Sequence, residues 1–256
     1  MDIINSQKIA GKLHKSSAIY FILLLVFGFK SGYGQVYIEK GPVGNLKGAE
    51  IMIHGPDLSQ MAVPYSRIKG SPFWKDEWQF ASLYSDENLV GILPVRINLV
   101  TNDIHFLKND MELVASDENK ITAVIFHPGM DTSLSTAAFM KDLGPYSADH
   151  KDINVILQVM NFGKYELLKH VNRQISSADS LFGTQKRYFF TDEISYYLKS
   201  DETIQKIKKL SEDNFFALIP GMTTVHRKWI KEKNIDFKKE AEVVRFLDYY
   251  NSQLGK

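Results

Sequence analysis

Across residues 79–126 apolar and polar side chains alternate, and the alternation breaks only at short clusters of Asn, Asp and Ser. No other feature limits the fold so tightly. A period of two marks a strand with one dry face. Val95, Ile97 and Leu99, separated by Arg96 and Asn98, are its clearest instance. Thr101-Asn102-Asp103 is expected to reverse the chain into 104–107, Asn109-Asp110 into 111–115, and 116–120 to lead to 121–126. Upstream, 85–88 is expected to join 79–84 to 89–93. Asn and Asp tolerate the left-handed backbone that tight hairpins require. Links this short leave no room for crossover helices, so the segment predicts consecutive antiparallel strands, a β meander.

The next stretch, 127–152, is looser and holds Pro128, Gly129, Gly144 and Pro145, with room for a short helix at 135–142. Pattern returns at 153–160 and 164–171, hinged at Asn161-Phe162-Gly163, a hairpin signature. Segments 187–190 and 194–198 read as two more strands, rich in the Tyr and Phe that suit a half-buried pleat. After Ser211 the period becomes helical. Ser211 is placed to cap a helix through Phe215, Phe216 and Leu218 that Pro220-Gly221 stops, and Thr223 or Thr224 to cap a second, ending near Asn234. In the third helix Val243, Val244, Leu247, Tyr250 and Leu254 share one stripe, while Glu242, Arg245 and Ser252 point away. Such a stripe must bury against something, and the sheet is the available partner. The expected fold class is α+β: an antiparallel β meander with two to three C-terminal helices packed against it.

The N-terminus carries an address. Lys8, Lys12, His14 and Lys15 precede an uncharged run of twelve residues, 18–29, short of the ~18 that a membrane-spanning helix needs. Small residues at Gly32 and Gly34 follow, and the whole reads as a secretory signal peptide, 1–34, cleaved before Gln35. The competing reading is an uncleaved anchor, to which Lys30 lends some support. The mature chain is then 35–210, mainly antiparallel β, and 211–256, a helical segment of the same globular unit. Losing Asp2 and four lysines (Lys8, Lys12, Lys15, Lys30) takes the formal charge from +1 to −2. A near-neutral exported chain has no field to draw it onto nucleic acid. With no cysteine, it has no disulfide, acylated-Cys anchor, thiol nucleophile or Cys-ligated metal, and its stability must come from a core.

Three blocks carry a family resemblance: Gly70-Ser71-Pro72-Phe73-Trp74-Lys75-Asp76-Glu77-Trp78, Leu93-Pro94-Val95-Arg96-Ile97-Asn98, and the run from Trp229 to Glu240 that closes on Tyr249-Tyr250-Asn251. From about Gly70 onward, with gaps, the chain resembles a group of uncharacterised exported proteins of Bacteroidetes-type Gram-negative bacteria. The resemblance implies a periplasmic or secreted location and assigns no residue a role.

Candidate chemistry is sparse. The histidines after Gln35 are His54, His105, His127, His150, His170 and His226, and no two share the i, i+4 spacing of a helical metal box. Asp149-His150-Lys151-Asp152 offers ligand types in one loop, but zinc takes ligands from separate elements in fixed geometry. His127-Pro128-Gly129-Met130-Asp131 follows a predicted strand, where loops often carry function, although a lone His there is more often a turn residue. Gly41-Pro42-Val43-Gly44 is too short to cradle phosphate. No catalytic residue, metal or cofactor is assigned. The basic residues Arg227, Lys228, Lys231, Lys233, Lys238 and Lys239 read as a solvated helical face. The candidate binding residues are Trp74 and Trp78, four apart beside Asp76 and Glu77. On a surface they would form a stacking platform for a glycan or a hot spot for an envelope protein. Inside they would plug the core, the commoner fate of large aromatics, and Trp78, next to the first regular strand, is the better candidate for that. The leading functional expectation is therefore a non-catalytic envelope binding or scaffolding protein. The alternative is an envelope hydrolase or carbohydrate-acting enzyme whose site is assembled from distant residues.

Overall fold

Asp86, Asn102, Asn109 and Asp110 all adopt left-handed backbone, with φ of 52°, 61°, 52° and 59°, and the hairpins expected around them form. The computed structural model describes residues 4–5, 50–55, 58–115, 121–141, 155–179, 186–201 and 203–254. Its centre is an 11-stranded sheet. In chain order the strands are β1 (Ile68–Lys69), β2 (Gln79–Ser85), β3 (Asn88–Asn98), β4 (Asp103–Lys108), β5 (Met111–Val114), β6 (Ala123–Phe126), β7 (Ala137–Met140), β8 (Leu157–Val159), β9 (Glu166–Asp179), β10 (Lys186–Lys199) and β11 (Ile204–Ile207). They lie in the order β11-β10-β9-β8-β7-β6-β2-β3-β4-β5, antiparallel throughout, and β1 adds a short parallel pairing to β10. Three helices end the chain: α1 (Glu212–Leu218), α2 (Thr224–Glu232) and α3 (Glu240–Gln253). The fold class is α+β. Two short antiparallel pairings stand outside the sheet, Glu50–Gly55 with Leu58–Pro64 and Ile4–Asn5 with Leu134–Ser135. The rest of the expected signal peptide, 41–44 and 149–152 lie outside the described residues.

Three local expectations are corrected. β6 does not follow β5 in space; the chain returns to place it between β2 and β7. All four β6 residues are buried, so the strand needs both faces covered and both edges paired, whereas β5, with Met111 and Val114 exposed, suits an edge. The short helix expected at 135–142 is instead β7, where Ala137 and Phe139 face one core and Ala138 another. The two strands expected at 187–190 and 194–198 are one, β10, paired with β9 from Glu166↔Lys199 to Asp179↔Lys186. Thr191-Asp192-Glu193 contains neither Gly nor Pro to break it.

One face of the sheet carries two cores. At one end the sheet curls, so that Asn102 Oδ1 accepts from Ile156 N–H at 2.7 Å and Leu99 O from Arg173 N–H at 3.3 Å. The curl encloses Val95, Ile97, Phe106, Phe126 and Phe139 among others. At the other end the helices lay Phe215, Ile230, Val243, Phe246, Leu247 and Tyr250 on Leu167, Leu198 and Ile207. The expected stripe on α3 omitted Phe246 and included Leu254, which is exposed just past the helix end. Polar contacts lock this end. The Glu240 carboxylate accepts from Lys169 Nζ (2.7 Å) and from the Tyr196 hydroxyl. Burial and that carboxylate together push the Tyr196 phenol well above its ordinary range. Asn251 pairs with the Tyr165 backbone like a strand neighbour, accepting its N–H and donating to its C=O, both at 2.9 Å. Among the described residues no helix is long and apolar enough to cross a membrane.

Candidate functional site

The two candidate tryptophans sit on a segment that runs along the edge of β3. Gly70, with φ of +104°, turns the chain in a conformation that L side chains rarely adopt. Pro72 O then accepts from Leu99 N–H and Trp74 N–H donates to Ile97 O, each at 2.8 Å, around a bridge between Phe73 and Asn98. Successive side chains of an extended segment point to opposite faces. Trp74 therefore turns inward, 5.2 Å from the Phe126 ring and 4.9 Å from Phe139. Phe73 turns outward, and Trp78, just before β2, joins it there. The structure does not bring the two indoles together. The one that reaches the core is Trp74, and Trp78 lies half-buried on the outer face.

What Phe73 and Trp78 meet is Arg96. Its guanidinium carbon lies 4.0 Å from the Phe73 ring centre and 3.9 Å from that of Trp78. Each such contact contributes about 0.5–2 kcal/mol, according to how dry the site is. Sheet register sets the rest of the cluster. Arg96 pairs with His105 across β3 and β4, and Leu107 pairs with Glu112 across β4 and β5, which puts all of them on the outer face. Glu112 Oε1 accepts from Arg96 Nη2 at 3.1 Å and contacts His105 Nδ1 at 2.8 Å. An ionised carboxylate only accepts, so Nδ1 carries the imidazole proton. His105 is 5% exposed, and its ring meets Phe73 edge-on at 5.4 Å. His105 Nε2 and Arg96 Nε are both buried without a hydrogen-bond partner among the described residues. Neither the His105 nor the Arg96 contact was legible in the sequence, because strand pairing and not spacing assembles them.

The cluster has the carboxylate-oriented imidazole of a general base, but Nε2 is buried and out of reach of a substrate proton. What it presents is a delocalised cation between two rings, one of them half-buried, with exposed Val114 paired across from His105.

A second polar pair lies deeper. Ser82 Oγ is 2.8 Å from His127 Nε2, and His127 Nδ1 is 2.7 Å from Leu134 O. The carbonyl can only accept, so Nδ1–H donates to it and Nε2 accepts the serine hydroxyl. This is the order of nucleophile, base and orienter. Yet Ser82 is 3% and His127 5% exposed, and a neutral carbonyl in place of a carboxylate gives an imidazolium no counter-charge. Asp131, in the loop after His127, is engaged elsewhere. The Ser133 hydroxyl and N–H, at 2.6 and 3.0 Å, hold its carboxyl below the usual range. The sequence pointed to His127 but not to Ser82, which lies 45 residues away and arrives through the β2–β6 pairing.

Of the basic C-terminal residues, Arg227 stacks on Phe216 and pairs with Glu212 at 2.7 Å, and Lys228 and Lys239 lie beside Glu232 and Asp236. Among the described residues no group of three or more His, Asp or Glu is placed to hold a metal ion. No family model, curated protein or solved structure matches the chain.

Proposed function

We propose that the mature chain is an exported envelope protein, periplasmic or secreted, that binds or scaffolds another macromolecule through the face around Trp78. The observation that supports this most is the half-buried Trp78 stacked on Arg96 on the outer face, where exposed Val114 pairs with His105. Aromatic rings and arginine together are the residues that dominate binding hot spots. The partner class is an envelope protein or a glycan. The export part of the proposal rests on the basic leader, the twelve-residue apolar run and the small residues before Gln35, together with the resemblance to exported Bacteroidetes-type proteins. In a Gram-negative host the chain is expected to lose its leader at or near Gln35; full-length protein in the inner membrane would instead mean an anchor. The binding test uses the mature protein on a glycan array and as bait in envelope extract, beside Trp78→Ala. Retention that disappears in the variant while its melting temperature holds supports the reading, and equal retention by both forms overturns it.

The 2.8 Å contact of Ser82 with His127 favours a second reading, an envelope hydrolase. It predicts covalent labelling of Ser82 by a serine-directed fluorophosphonate, abolished in Ser82→Ala and His127→Ala. Burial of both residues argues against it.

A further inference from the structure

Beyond β8 the hairpin of β9 and β10 continues as a two-stranded arm, since β8 pairs with β9 only at Leu168 and Lys169 while the arm runs on to Asp179 and Lys186. The segment that carries Phe73 and Trp78 is attached to this arm at three places. β1 pairs with Tyr188 and Phe189. Gly70 lies against Phe190, whose Cδ2 would be 3.4 Å from a Cβ at that position. The third attachment is Arg173. It faces Asp192 across the two strands and binds it through both carboxylate oxygens, Nε to Oδ1 at 2.7 Å and Nη2 to Oδ2 at 2.8 Å. Its remaining nitrogen, Nη1, donates to Ser71 O and to Phe73 O, both at 2.7 Å.

We propose that Arg173 is the positioning residue of the aromatic segment, holding Phe73 and Trp78 against Arg96 from the β9–β10 arm; its link to binding rests on the function proposed above. The geometry requires an arginine. Asp192 fixes the plane of the guanidinium, and the fixed plane aims Nη1 at two carbonyls two residues apart on the extended segment. The second of these belongs to Phe73 itself, one residue before the chain turns Trp74 inward. A lysine retains the charge, but a single ammonium does not reproduce a two-toothed grip on a carboxylate together with two carbonyl contacts. Arg173 thus makes the position of the outer aromatic pair depend on the arm, so that whatever moves the arm moves the recognition face.

The test needs no ligand. The mature chain is labelled with 5-fluorotryptophan, and the fluorine resonances of Trp74, Trp78 and Trp229 are assigned by single Trp→Phe changes. In Arg173→Lys the Trp78 resonance is expected to shift and broaden while that of Trp229, on the helices at the other end, stays in place. Amide exchange across 70–78 should rise about tenfold or more, with the β3 and β6 amides unchanged. Asp192→Asn, which leaves Arg173 in place but weakens its orientation, should move Trp78 the same way by less. It decides the matter if Arg173→Lys fails to fold. An unmoved Trp78 resonance with unchanged exchange in the folded variant overturns the inference. These readouts are independent of any partner, so the binding reading and the positioning role fail separately: retention that survives Trp78→Ala sinks the first and leaves the fluorine result to decide the second.

Discussion

The two ends of the sheet carry different polar clusters. At the helical end Asn251, Glu240 and Lys169 hold backbone or one another: Asn251 copies a strand neighbour for Tyr165, and Glu240 draws α3 onto β9 and β10. At the curled end Arg96, His105 and Glu112 hold one another on the outer face and leave Arg96 Nε and His105 Nε2 without a hydrogen-bond partner among the described residues. An unsatisfied buried polar atom costs about 1–3 kcal/mol. Two such atoms lie in this one cluster, whereas the Tyr165 backbone is fully paired by Asn251.

This contrast breaks first in the helical core. Phe246→Ala removes a fully buried ring and should cost about 3–5 kcal/mol in denaturant unfolding, with Leu247→Ala close behind at about 2–5 kcal/mol. Losses near zero would mean that α3 is not packed as described. Gly163→Ala should follow at about 1–3 kcal/mol, because its Cβ would lie 2.2 Å from Asn251 Nδ2 and eject that side chain from Tyr165. Full stability in that variant would remove Asn251 as a lock. Arg245→Ala, on the exposed side of α3, should stay within about 0.5 kcal/mol.

The smallest effect expected is on acidification. Arg173, by hydrogen bond and charge, holds the Asp192 carboxyl below its ordinary value of 3.8 against the opposing effect of burial. A depressed carboxyl contributes stability that is fully present above 3.8 and is lost as the pH falls through its folded value. The pair is partly exposed, at 17% and 34% for the two side chains, so screening keeps the loss to a fraction of a kcal/mol. The Trp78 fluorine resonance should nevertheless drift toward its Arg173→Lys position below pH 3.8 and be flat above it. A drift centred near neutrality would point to a histidine instead.

Much of the frame was legible in the sequence, because it rests on local rules. Asn102, Asn109 and Asp110 turn where Asn and Asp are needed, and Val95, Ile97 and Leu99 bury where period two puts them. Asn98, expected to point away from the core, is buried because its Oδ1 accepts from the N–H groups of Val100 and Thr101 and closes the next turn. The 137–140 strand was hidden because two alanines and a phenylalanine fit a helix as readily as a pleat. The candidate site was legible only as a pair of tryptophans. Their separation to opposite faces depends on how 72–74 docks on β3. Their partners, Arg96, His105 and Glu112, meet through register between three strands. Arg173, inside the polar run Asn172-Arg173-Gln174, gives no periodic signal at all.

The two tryptophans carry the contrast into a single experiment: thermal unfolding of Trp74→Ala and Trp78→Ala, each beside retention on a glycan array and in an envelope pull-down. Trp74, packed on Phe126 and Phe139, should lose about 2–4 kcal/mol on truncation, somewhat below a fully buried ring. Trp78, resting on Arg96, should melt within a few degrees of the unmodified protein, consistent with loss of about 1 kcal/mol of ring–cation contact, and should lose retention of its partner. A Trp78→Ala protein that melts as low as Trp74→Ala, or that retains the partner unchanged, would contradict the assignment of recognition to this face.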